Sequence, residues 1–173
     1  SIMFSVSESN SLNPGEEIVL DIDSSFVLPY QYGLLGYYMD VNSFGHWYPI
    51  LSVYDGNWHD NPLSVNHQPY FSEAAYYQLE LTVAEDQVVA YPGDLISEKN
   101  NNDGTKTLNI KTDLIREFSF ATSKKYQVLS KEVDGINLNL YFLPESLKYA
   151  EKGIEYAASA MGFYIKTFGE YPY

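Results

Sequence analysis

Three histidines, His46, His59 and His67, are the side chains of this sequence best suited to metal binding or proton transfer. None belongs to an H-E-x-x-H pair, the spacing at which one helical face aims two imidazoles at a metal and a glutamate acts as base. His59 and His67 fall in the Pro-containing stretch DGNWHDNPLSVNHQP, which reads as loop, and loop histidines at unspecific spacing read as polar surface. There is no cysteine, which excludes thiolate nucleophiles, disulfides and sulfur-based metal sites. The chain holds neither a G-x-S-x-G nucleophile elbow nor a Gly-rich phosphate loop. Carboxylates are plentiful, but no spacing sets two of them at the separation of a glycosidase pair. The sequence therefore assigns no catalytic residue and no metal ligand.

The densest aromatic run is NSFGHWYPILSVYDGNW, residues 42–58, with Trp47, Tyr48, Pro49, Tyr54 and Trp58. These residues suit a stacking platform for a sugar, or a packed strand with its turn. Packing is the favoured reading, because aromatics dominate core energetics in β proteins. The formal net charge is −13 and Arg116 is the only arginine. An acidic surface repels phosphate backbones, so nucleic acid is not an expected partner. No run approaches the length of a membrane span, and the first ten residues lack the basic and apolar regions of a signal peptide.

The elements that must position these residues are mostly strands. The 17 tyrosines among 173 residues already lean toward half-buried pleated surfaces. In EIVLDIDSSFVL, Ile18, Leu20 and Ile22 alternate with Val19, Asp21 and Asp23 and predict a strand. Residues 75–83 predict another, with Ala75, Tyr77, Leu79, Leu81 and Val83 on its inner face. Leu108 and Ile110 alternate with Thr107, Asn109 and Lys111, and residues 98–104 form the turn before them. Phe118 and Phe120 mark a short strand. Asp134-Gly135 is a strong two-residue turn signal joining YQVLSKEV to INLNLYFL in a hairpin, with Ile136, Leu138, Leu140 and Phe142 inward.

From Pro144 the period changes to that of a helix. Leu147, Ala150, Ile154, Ala157, Met161, Ile165 and Phe168 form one face, Gly169 stops the helix, and Gly153 and Gly162 suggest close packing. The expected architecture is mainly β: an antiparallel β-sandwich-like domain at 1–143, followed at 144–173 by one long C-terminal α-helix and the start of a strand. The wide apolar stripe predicts a partner for the helix besides the sandwich.

Four segments carry a family resemblance: FGHWYPILSVYDGNW, YFSEAAYYQLELTVAEDQVVAYPGDL, REFSFATSKKYQV and YIKTFGEYPY. In order and spacing they resemble the N-terminal β-domain of the aminopeptidase N-type zinc metallopeptidases, up to the first helix of the catalytic domain. The likeness covers residues 16–173. It implies a non-catalytic fragment that lacks the front of its β-domain and walls the active-site cleft of the intact enzyme. The family's G-x-M-E-N strand, H-E-x-x-H and downstream glutamate do not occur here. The chain as given is accordingly expected to be inactive, with no cofactor of its own and zinc in the intact parent. The implied partners are the remainder of the catalytic domain and a peptide substrate. The likeness also carries over one substrate-binding position, Asp40, where family members use Gln or Glu near the peptide amine. A bacterial protein of the cytoplasm or membrane surface is the expected setting. The alternative reading is a stand-alone β-sandwich module binding a glycan or a protein.

Overall fold

The computed structural model describes residues 12–59 and 71–172. The chain forms two compact units, one of Ser1–Val27 with Leu51–Ser72, the other of Leu28–Ile50 with Glu73–Tyr173. The second unit carries all the named strands and the helix, and it is mainly β, with antiparallel sheets and one C-terminal helix.

Its first sheet orders β1 (Leu35–Tyr38), β2 (Val41–Phe44), β7 (Phe120–Ser123) and β4 (Val88–Ala90) as β1-β2-β7-β4. Its second runs β3-β6-β5, from β3 (Gln78–Ala84), β5 (Asp94–Asn100) and β6 (Thr105–Lys111). Strands β8 (Gln127–Val133) and β9 (Ile136–Phe142) form a hairpin of their own. One core joins the first two sheets. Val89 and Phe120 of the first meet Leu108 and Ile110 of the second around the fully buried Phe118, with Phe44, Leu79, Leu81 and Val83 packed against them. Each such side chain contributes roughly 1.5–3 kcal/mol when it leaves water. Phe44 and Phe120 are cross-strand partners, and their rings stack at 4.4 Å and 7°.

Alternation explains these elements. In β3 the residues Leu79, Leu81 and Val83 turn inward while Gln78, Glu80 and Thr82 face out, as the period of two predicts. In β6 Leu108 and Ile110 are buried. The β8–β9 turn has φ of 49° at Asp134 and 83° at Gly135, the positive values that a two-residue hairpin needs. β5 is an edge strand whose seven residues are all exposed, and its register with β6 breaks between Leu95 and Ser97.

Two expectations need correction. Residues 16–27 form no strand: Ile18, Leu20 and Ile22 remain about half exposed, and no described strand pairs with them. Alternation supplies a face, but a strand also needs a ladder for its N–H and C=O groups. The second correction concerns the helix, α1 (Leu147–Phe168), which follows a 3-10 turn at Pro144–Ser146 and ends at Gly169 with φ 99°. Its buried residues are Ala150, Ile154 and Ala158, so Ala158 replaces Ala157 on the inner face, and Leu147 and Phe168 are exposed. The ribbon beneath it is only two strands wide. It covers a single ridge of residues four apart, narrower than a stripe of mixed three and four spacings. Gly153 does mark close packing: a Cβ there would stand 3.3 Å from Leu140 Cδ2.

Candidate functional site

The position singled out by sequence, Asp40, lies in the two-residue turn between β1 and β2. Tyr38 pairs with Val41, leaving Met39 and Asp40 to reverse the chain. Met39 takes φ 52°, an uncommon value for a residue with a side chain. Because β2 lies against β7, the turn stands beside Lys125 just past the end of β7, and Lys125 Nζ donates to Asp40 Oδ2 at 2.9 Å. The Asp40 carboxylate holds the Lys125 ammonium above the ordinary lysine range, through this hydrogen bond and then through charge. Both side chains are exposed, so solvent and salt weaken the pair.

The aromatic run divides. Trp47 and Tyr48 face inward: Trp47 Nε1 donates to the Phe118 carbonyl at 2.9 Å, and the Tyr48 and Tyr77 hydroxyls are 2.8 Å apart. The Phe118 amide in turn donates to the Tyr48 hydroxyl at 3.2 Å. Burial pushes the Tyr77 phenol well above its usual pKa, and the bond with Tyr48 adds to the shift. Trp47 and Tyr48 are thus committed to packing and to each other, with ring centroids 5.1 Å apart, and offer no sugar platform. Tyr54 and Trp58, in the other unit, meet at 5.1 Å with their rings tilted by 56° and are exposed.

The two described histidines each meet a carboxylate within their own unit. His46, at φ 54°, has its Nδ1 3.0 Å from Glu117 Oε1, and its backbone N–H donates to the same oxygen at 2.7 Å. This contact ties the loop before Trp47 to the segment before Phe118. His59 Nε2 lies 2.8 Å from Asp55 Oδ1, and the hydrogen bond from His59 holds the Asp55 carboxyl below its usual range. The loop reading of His67 lies outside the described residues. Among the described residues, no group of three or more His, Cys, Asp or Glu is placed to hold a metal ion. No helix is long and apolar enough to cross a membrane, again among the described residues.

The structure brings together one cluster that the sequence reading passed over. Tyr30, Tyr32, Tyr37 and Tyr38 form a chain of rings. Tyr37 meets Tyr30 at 5.2 Å, Tyr30 meets Tyr38 at 5.8 Å, and Tyr38 meets Tyr32 at 6.0 Å. Residues 29–31 cross β1 in a short parallel contact, with Tyr37 N–H to the Pro29 carbonyl at 2.8 Å and Gln31 N–H to the Tyr37 carbonyl at 3.1 Å. Only glycine fits beneath that crossing, because a Cβ on Gly36 would stand 2.6 Å from the Gln31 carbonyl oxygen. The signal was available as YQYGLLGYY, four tyrosines in nine residues around two glycines.

No protein-family model matches this chain, and the comparison with curated proteins finds no match either.

Proposed function

We propose that this chain is the non-catalytic β-domain and leading helix of an aminopeptidase N-type zinc peptidase. In that role it walls one side of the substrate cleft and helps to orient a peptide. The observation that carries the reading is α1. Its inner face is taken by the β8–β9 hairpin, yet a second face exposes Tyr149, Tyr156 and Phe163 at intervals of seven residues, with Tyr164 and Phe168 beside them. A helix with two apolar faces belongs between two layers. In this reading the second layer is the catalytic domain. The order of the four motif segments supports the same conclusion: Trp47-Tyr48 in the core, β3, β7, and α1 closing at Gly169.

In this reading the zinc and its chemistry belong to the catalytic domain. What the described residues contribute is a wall and, at Asp40, a carboxylate for a peptide ammonium, which would take the place now held by Lys125.

The test compares two polypeptides by elemental analysis and by hydrolysis of aminoacyl anilides. The 173-residue chain is expected to carry no stoichiometric zinc and to show no turnover. The product of the complete reading frame is expected to contain H-E-x-x-H, to bind one zinc and to turn over. Turnover in proportion to the 173-residue chain, or a reading frame without the motif, overturns the proposal.

A further inference from the structure

Tyrosine rings meet one another in two kinds of place. Tyr48 and Tyr77 have ring centroids 5.8 Å apart, pack against the core and bond hydroxyl to hydroxyl. Tyr126 and Tyr141, 6.1 Å apart, are partly buried, and burial raises both phenols above their ordinary range. The rings of Tyr30, Tyr32, Tyr37 and Tyr38 approach one another as closely, but on the outside of the fold.

Tyr30 is the hub of this outer group. It meets Tyr37 at 5.2 Å with the rings at 61°, and Tyr38 at 5.8 Å with the rings at 36°. Tyr32 is 89% and Tyr30 65% exposed, while Tyr37 and Tyr38 are each 40% exposed. The backbone hydrogen bonds between residues 29–31 and Tyr37 hold the two segments side by side. An exposed Tyr30 ring therefore needs only a swing about its own side-chain torsions to press an edge against a ring of β1. Among the described residues, none of the four hydroxyls has a protein hydrogen-bond partner, so each can pass its proton directly to water.

We propose that the tyrosine corner formed by Tyr30, Tyr32, Tyr37 and Tyr38 is an oxidative modification site. Its product is a carbon–carbon bond from Tyr30 to Tyr37 or Tyr38, formed when the chain meets hydrogen peroxide and a haem peroxidase. Each of the two phenols gives up one electron and one proton and becomes a phenoxyl radical. The unpaired electrons join two ortho carbons, and the ortho hydrogens then move to the phenol oxygens, which restores both aromatic rings. Two hydrogen atoms have left the protein, and one hydrogen peroxide has taken them up to become two waters. The new bond staples residues 29–31 to β1 across a crossing that hydrogen bonds already define. The buried pairs are poorer sites, because their phenols are held among protein groups and keep their protons longer. The inference rests on ring geometry and exposure and does not depend on the peptidase reading.

Treatment of the dilute 173-residue chain with hydrogen peroxide and a haem peroxidase tests it, the products being separated by size. The expected product is a monomer that has the blue fluorescence of dityrosine and has lost the mass of two hydrogens. Tandem mass spectrometry of a peptic digest is expected to place the bond between Tyr30 and β1. Tyr30→Phe, which keeps the ring and removes the hydroxyl, is expected to lose most of the monomer fluorescence. Tyr126→Phe, in a partly buried pair, and Tyr149→Phe, on the exposed face of α1, are expected to keep it. Unchanged monomer fluorescence in Tyr30→Phe overturns the proposal. So does a bond mapped to Tyr48–Tyr77 or Tyr126–Tyr141, dityrosine confined to dimers, or no dityrosine at all. Near-ultraviolet circular dichroism of the variants confirms that the core is intact.

Discussion

Phe44, Trp47 and Tyr48 stand only a few residues beyond Tyr30, Tyr32, Tyr37 and Tyr38, yet the two aromatic groups differ in almost every physical respect. The first is closed: the indole N–H, the Tyr48 hydroxyl and the Phe118 amide and carbonyl satisfy one another, and the rings pack against Phe118 and Phe120. The second is open: its rings touch mainly each other, and its hydroxyls lack protein partners among the described residues. Aromatic density therefore does not distinguish a core from an exposed surface. What separates them is whether the polar atoms of the rings are used up inside the fold.

Substitutions can break this contrast at its strongest point. Phe118→Ala removes the most deeply buried large side chain and is expected to cost about 3–5 kcal/mol by urea denaturation. Tyr32→Ala, at an exposed position, should stay within about 0.5 kcal/mol. Similar losses for the two would erase the distinction. A smaller effect isolates the polar closure. Trp47→Phe keeps a ring but leaves the Phe118 carbonyl without its donor, and about 1–2 kcal/mol should be lost.

The weakest effect is a pH dependence at the alkaline end. Burial raises the phenols of Tyr77, Tyr91, Tyr126 and Tyr141 above their usual pKa. In the unfolded chain these groups ionise near pH 10, whereas in the folded chain they hold their protons longer. The stability they confer is complete below about pH 10 and falls as pH rises through the folded values. Absorbance at 295 nm should show a late class of tyrosines that merges with the rest in denaturant. A single titration in the folded chain would contradict it.

Legibility in the sequence followed from how local each determinant is. Asp134-Gly135, the alternation in β9 and the stop at Gly169 are written in neighbouring residues and appear as read, whereas the strand read over 75–83 begins only at Gln78 and leaves Ala75 exposed in an isolated bridge with Ile115. The alternation at Ile18–Ile22 was equally clear, but a strand depends on a ladder partner elsewhere in the chain. The helix face shifted from Ala157 to Ala158 because the width of the covering ribbon, not helix periodicity, selects the buried ridge. Asp40 was singled out by resemblance alone, and its pairing with Lys125, 85 positions away, depends on β2 lying against β7. The tyrosine corner needed a crossing over Gly36 that no periodicity encodes.

The register break in β5 has a bearing on behaviour at high concentration. An exposed edge strand seven residues long is a template on which a second chain can add its own strand and start an aggregate. Here the step between Leu95 and Ser97 interrupts the even spacing of N–H and C=O groups that such a guest would have to match. Beyond the step, Glu98 and Lys99 set charges along the same edge. One displaced residue thus guards one edge of the second sheet, and straightening β5 by deleting Ile96 would be expected to promote self-association.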